Sequence, residues 1–342
     1  MSSPQPAAVS PRKVILDCDP GIDDACAIAF ACGHPGLDLR GVTTVAGNVG
    51  LPQTTANALS VLEFAGFPDV PVAAGSPVPL LRPALDALRV HGESGLGHAR
   101  LPTPRARPLD VGATDLILDA IGASPGEITL VATGPLTNIA LAVRRQPSLA
   151  SQVAEFVIMG GSAGRGNVTA AAEFNIAADP EAAAIVFGAG WRVTMVGLDA
   201  TLQARVSPVV RERLAGLGRL GSDLLLPSLS GYGADEATAV RAGPAGGGPG
   251  GSPGPAGPAG EGPAVHDVCA LALVAEPGLF GCWPARVEVE TAGRWTSGMT
   301  VTDFGAPPEA CNALVATSVD AARFWDTVIG AWARLPVAQA GS

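Results

Sequence analysis

Four aspartates fall within eight residues in the run Leu16-Asp17-Cys18-Asp19-Pro20-Gly21-Ile22-Asp23-Asp24-Ala25. An apolar, strand-like stretch precedes them and an apolar, helix-like stretch follows. Carboxylates crowded at such a junction repel one another and resist burial. A fold keeps them there when a cation sits among them, and an all-oxygen donor set suits a hard ion such as Ca²⁺ or Mg²⁺. The run therefore predicts a metal site at the carboxyl end of a first buried strand.

The pattern beyond this run alternates between strand and helix. Apolar runs at 14–18, 39–46, 72–74, 128–133, 156–159 and 193–197 read as strands, and 23–32, 53–64 and 139–144 as helices. Short strands at 285–289 and 298–301 and a final helix over 319–334 complete the reading. Repeated βα units predict an α/β fold, an open, mostly parallel twisted sheet with helices on both faces. Sites in such sheets form at the carboxyl ends of strands. The polar clusters fall at those ends: Asp19 to Asp24, Asn48, Thr133, and Asn167 to Asn175.

Two stretches interrupt the alternation. Residues 75–110 form a long Pro/Arg-rich connection containing His91-Gly92-Glu93-Ser94-Gly95, read as a loop that closes over the site. Residues 242–263 are mostly Gly, Pro and Ala and read as a flexible insertion in a loop. The domain is expected over 13–338, behind a disordered Ser/Pro/Ala-rich tail at 1–12 that lacks the apolar core of a signal peptide.

Composition excludes several classes. Lys13 is the only lysine, so there is no Walker A loop and no Schiff-base lysine. A net charge of −10 argues against nucleic acid or an anionic membrane as partner. No apolar run approaches the roughly 20 residues that span a bilayer. The six cysteines lack any Cys-x-x-Cys pair and read as buried thiols in a reducing, cytoplasmic setting.

Three further constellations accompany the aspartates. Thr133-Gly134-Pro135-Leu136-Thr137-Asn138 is a strand-to-helix turn, where capping by Thr137 or Asn138 is the plainest role. Met159-Gly160-Gly161 leads through Gly166-Asn167 to Glu173-Phe174-Asn175, a glycine-rich polar loop able to approach a ligand and bind hydroxyls. His266-Asp267 opens another helical run. Each has an ordinary structural explanation alone; their joint occurrence at strand ends does not.

With these motifs the chain resembles the inosine–uridine-preferring nucleoside hydrolase family, from about Lys13 to Asp320. The aspartate run and Thr133 to Ala140 carry most of the resemblance. It implies hydrolysis of the N-glycosidic bond of ribonucleosides to ribose and free base, with a tightly held Ca²⁺. Asp19, Asp24 and Asp267 would bind the ion through carboxylates, and Thr133 through its carbonyl. Asp23, Asn48, Asn167, Glu173 and Asn175 would hold the ribose, and Met159 would pack on it. Independently of the resemblance, the long connection puts His91 either against the substrate, as part of a lid, or in solvent as an ordinary surface histidine. Asp19 would be the base for the water the ion holds, and His266 would protonate the leaving base. The transition state would be oxocarbenium-like. The partner would be a small nucleoside, and the assembly a homodimer or homotetramer.

The chain departs from the family before His266, where aromatic residues usually approach the leaving base. Tyr232 is the only tyrosine, and contact from that side is in doubt. A haloacid-dehalogenase-type phosphatase also opens on Asp-x-Asp, yet needs a later lysine that this chain lacks. The alternative that stands is a nucleoside-binding protein of the same fold without turnover.

Overall fold

The computed structural model describes residues 10–230, 232 and 262–339. Most of the expected tail at 1–12 and of the insertion at 242–263 lies outside the described residues.

Nine strands form one sheet: β1 (Arg12–Cys18), β2 (Leu37–Thr44), β3 (Val72–Ala74), β4 (Ile128–Ala132), β5 (Glu155–Met159), β6 (Val193–Val196), β7 (Phe280–Val289), β8 (Thr300–Asp303) and β9 (Ala313–Val319). Their spatial order is β3-β2-β1-β4-β5-β6-β9-β7-β8. Every pair from β3 to β9 is parallel, whereas β7 runs antiparallel to both β9 and β8. The expected open, mostly parallel sheet is present.

Side chains alternate across it with the two-residue strand period. Val14, Leu16, Val131, Val157 and Val196 enter one core, with α1 (Ile22–Gly33), α2 (Leu51–Ala65) and the helices Asp267–Ala275 and Ala321–Trp332. Ile15, Leu130, Phe156, Ile158 and Met195 enter the other, under the helices Ala113–Ala123, Thr137–Arg145 and Pro180–Phe187. Burial on both faces explains why the strands read as continuous apolar runs.

The carboxyl-terminal region corrects the sequence reading. Val319 closes β9 instead of opening a helix, and the last long helix begins at Ala321. The Asp320 side chain accepts from the Arg323 amide at 3.2 Å, an N-cap that sets the helix start. β9 itself was not anticipated; it slots between β6 and β7.

The chain builds outward from β1 to β2 and β3, then returns to place β4 on the other side of β1. This reversal opens a crevice at the carboxyl ends of β1 and β4, where open α/β sheets bind ligands. Asp19 follows β1, and Thr133 follows β4.

Candidate active site

The turn Asp19-Pro20-Gly21 joins β1 to α1 and buries its carboxylate completely. Asp19 Oδ2 accepts from the Asn48 amide at 2.7 Å, while Oδ1 has no hydrogen-bond partner among the described residues. Two glycines make room for it. A Cβ on Gly47 would stand 2.1 Å from Asp19 Oδ2, and one on Gly134 would stand 2.7 Å from Oδ1.

Asp24 lies in the first turn of α1, and its carboxylate is enclosed by donors. Oδ2 accepts from the Gly21 amide at 3.0 Å and from Asn48 Nδ2 at 3.1 Å, and Oδ1 from Thr133 Oγ1 at 2.9 Å. Asp267 is the first residue of its helix, and His266, not Asp267, takes the N-cap position. The Asp267 carboxyl lies beside that of Asp24. Oxygens of Asp23, Asp24 and Asp267 lie within 4.8 Å of one another. The tightest trio thus contains Asp23, whereas the sequence reading grouped Asp19 with Asp24 and Asp267. Asp19 Oδ2 is instead engaged by the Asn48 amide.

Burial pushes the carboxyl of Asp24 up to about 7 and those of Asp19 and Asp267 well above the usual range, with neighbouring carboxylates adding to the rise. Such a cluster is costly unless a cation or protons neutralise it. The orphaned Asp19 Oδ1 and the all-oxygen donors fit a hard divalent ion. The thiol of Cys18, next to Asp19 in sequence, points to the Thr43 carbonyl at 3.6 Å.

Above this layer lies a cavity of about 530 Å³. Asp23, Asn48, Thr133 and Asp267 line its acidic end, and Met159, Asn167, Glu173 and Asn175 line its glycine-rich side. His91 and His266 also reach it. Asp19 and Asp24 are absent from its wall and remain in the buried layer beside Asp23 and Asp267. Ten of the twelve site residues expected from sequence therefore share one cavity wall, and the other two lie against it.

Local bonds explain their poses. Glu173 precedes the short helix Phe174–Ala178, and its carboxylate accepts from the amides of Gly161, Asn175 and Ile176 at 2.9, 2.9 and 3.2 Å. Burial raises its pKa, partly offset by those amides. Asn175 Nδ2 donates to the carbonyls of Thr133 at 2.8 Å and Met159 at 3.1 Å, bridging β4 and β5. Asn167 Oδ1 accepts from the Phe174 amide at 3.0 Å.

The loop carrying His91 is seated on the site. His91 Nδ1 accepts from the Ile22 amide at 3.0 Å, and Asn57 Nδ2 donates to the carbonyls of Pro20 at 2.9 Å and Ser94 at 2.8 Å. Tyr232 lines the cavity with its ring centroid 5.6 Å from that of His91, so an aromatic side chain does reach this side.

Several contributors escaped the sequence reading. Thr137 and Asn138 do not cap their helix: Thr137 Oγ1 donates to Asp179 Oδ2 at 2.7 Å, and Asn138 Nδ2 to Asp17 Oδ1 at 2.8 Å. Arg82, on the cavity wall, clasps Glu181 with both Nε and Nη2 and reaches Ser297 Oγ at 2.7 Å. It ties the 75–110 connection to two distant segments, and nothing local in its sequence marks it.

The family model described as inosine-uridine preferring nucleoside hydrolase matches residues 14–326. The chain is 41% identical over 328 residues to the inosine-uridine preferring nucleoside hydrolase of Crithidia fasciculata, covering 95% of this chain and 98% of that protein. It is 44% identical over 327 residues to the non-specific ribonucleoside hydrolase RihC of Salmonella paratyphi A, covering 94% and 98%. Among solved structures, the purine-preferring ribonucleoside hydrolase from Gardnerella vaginalis superposes with a TM-score of 0.84 at 31% identity, covering 95% of this chain and 99% of that one.

Proposed function

Because the chain belongs to the inosine-uridine preferring nucleoside hydrolase family, we propose a Ca²⁺-assisted route for its reaction. The protein is an N-glycosyl hydrolase acting on ribonucleosides. The observation that carries the proposal is the meeting of the buried Asp23–Asp24–Asp267 cluster with the His266-bearing cavity.

Asp19, Asp24 and Asp267 would hold the ion through carboxylates and Thr133 through its carbonyl, with Asp23 close beside them. The bound ion supplies Lewis acidity, gathering oxygen ligands and easing deprotonation of water. Asp19, with an oxygen free of protein donors, takes the proton from the attacking water. Asp23, Asn48, Asn167, Glu173 and Asn175 hold the ribose hydroxyls, and Met159 packs on the sugar. The buried carboxylates stabilise positive charge that develops on the ribosyl ring. His266 gives a proton to the departing base, and His91 meets the substrate from the seated loop. Water adds to the anomeric carbon as the N-glycosidic bond breaks, leaving ribose and the protonated base.

Residues 13–338 act as one catalytic domain with the 242–263 insertion within it. The six unpaired cysteines suit a reducing, cytoplasmic compartment, and no described helix is long and apolar enough to cross a membrane. Exposed Trp283, Trp295 and Phe304 around β7 and β8 suit a homo-oligomer, dimer or tetramer.

Ribose release from inosine and uridine tests the route. Chelation should abolish it and Ca²⁺ should restore it. Full activity under complete chelation would overturn the role of the ion.

A further inference from the structure

His266 is held from behind by a residue with no role so far. Thr201 ends the short helix Leu198–Thr201 that follows β6, and it is fully buried. Its Oγ1 lies 2.8 Å from His266 Nδ1. The backbone fixes this approach from both sides. The Thr201 amide donates to the Gly197 carbonyl at 3.1 Å, and the Val265 amide donates to the Ala204 carbonyl at 3.0 Å. Arg205 and Ala264 form an antiparallel bridge that straps the two segments together. A β-branched side chain adds stiffness at χ1.

We propose that Thr201 is the positioning residue for His266: its hydroxyl bonds Nδ1 and turns the ring so that Nε2 faces the nucleobase and can pass it a proton. The proposal rests on the reading of His266 as proton donor to the leaving base. The chemistry suits a hydroxyl. It accepts from Nδ1–H before and after the ring gives up its Nε2 proton, and by rotating it can donate to a bare Nδ1, so the ring keeps its pose in each state. A carboxylate there could only accept.

The test uses the full-length protein with Ca²⁺ at one fixed pH, as wild type, Thr201→Val and Thr201→Ser. Two substrates are compared: inosine, whose base departs with a proton, and 4-nitrophenyl β-ribofuranoside, whose phenolate departs without one. Well-placed proton transfer is typically worth about 10²–10⁴-fold, so Thr201→Val should lower kcat on inosine by about 10–100-fold with little change in KM. Its kcat on the nitrophenyl riboside should be unchanged, and Thr201→Ser should recover most of the inosine rate. Equal losses on both substrates, or no loss on inosine, would overturn the proposal.

Nitrogen-15 shifts of the His266 ring give a readout that needs no turnover. Wild type and Thr201→Ser should show one neutral tautomer, fixed by the hydroxyl at Nδ1, and Thr201→Val a mixture. A wild-type ring that is itself a mixture of tautomers, or a tautomer insensitive to Thr201→Val, would overturn the proposal. His266→Ala separates the two readings. If it leaves inosine turnover intact, the donor reading fails, while the ring tautomer still decides what Thr201 does.

Discussion

Asn138 Nδ2 donates to Asp17 Oδ1 at 2.8 Å, binding the helix after β4 to the strand that carries the acidic run. The Thr43 hydroxyl donates to the same oxygen at 2.5 Å. Asp17 is fully buried, two residues before Asp19, and its Oδ2 has no partner among the described residues. Asn138 also donates to the Thr44 carbonyl at 3.0 Å and accepts from the Ser76 amide at 2.8 Å. Asn138→Ala therefore strips partners from a buried carboxyl and two backbone groups. Each buried group left unsatisfied costs about 1–3 kcal/mol, so the variant should lose at least that much stability. Denaturant unfolding measures the loss, and an unchanged midpoint would refute the bracing role.

Gly134→Ala places a Cβ 2.7 Å from Asp19 Oδ1 and 3.0 Å from a Val45 methyl. Asp19 must shift, because its other oxygen is already fixed by the Asn48 amide. If Asp19 is the base of the proposed route, the turnover rate should fall by about 10²-fold or more, the scale of general-base catalysis. Circular dichroism should show the fold retained. A variant with wild-type kcat would mean that Asp19 is not required in its present pose.

The acidic layer also sets a pH signature for the ion-free protein. Burial raises Asp17 and Asp24 from an ordinary 3.8 to about 7. A carboxyl raised on folding contributes its full stability below the unfolded value and loses it as pH climbs through the folded one. The chelated protein should therefore lose melting temperature between about pH 4 and pH 7. Exposed pairs such as Arg219–Asp223 act in the opposite sense, but contribute little because solvent screens them. Added Ca²⁺ should flatten the decline by holding Asp24 charged. Melting curves with and without chelator check this, and a chelated protein that gains stability across the window would contradict it.

The floor of the site was legible in the sequence because its signal is local: four acids, a turn and two apolar flanks in one short run. The parallel sheet was legible for a similar reason, since strands buried on both faces are continuous apolar runs. What escaped depends on distant partners. Thr137 and Asn138 look like caps until Asp179 and Asp17 are brought to them from elsewhere in the chain. β9 mixes small and hydroxyl residues, and its place between β6 and β7 is a property of the sheet. Arg82 stands among prolines in an irregular segment, and only the fold brings Glu181 and Ser297 to it.

Asp19 and Asp267 enter the same acidic layer from near opposite ends of the chain. During synthesis the first arrives early, in a segment able to form its turn at once, and the second arrives only after most of the sheet has been made. A nascent or truncated chain thus lacks one member of the acidic cluster. On the proposed route, ion retention would mark a completed polypeptide, and the metal would act as a late fastener that closes the structure around its own repulsion.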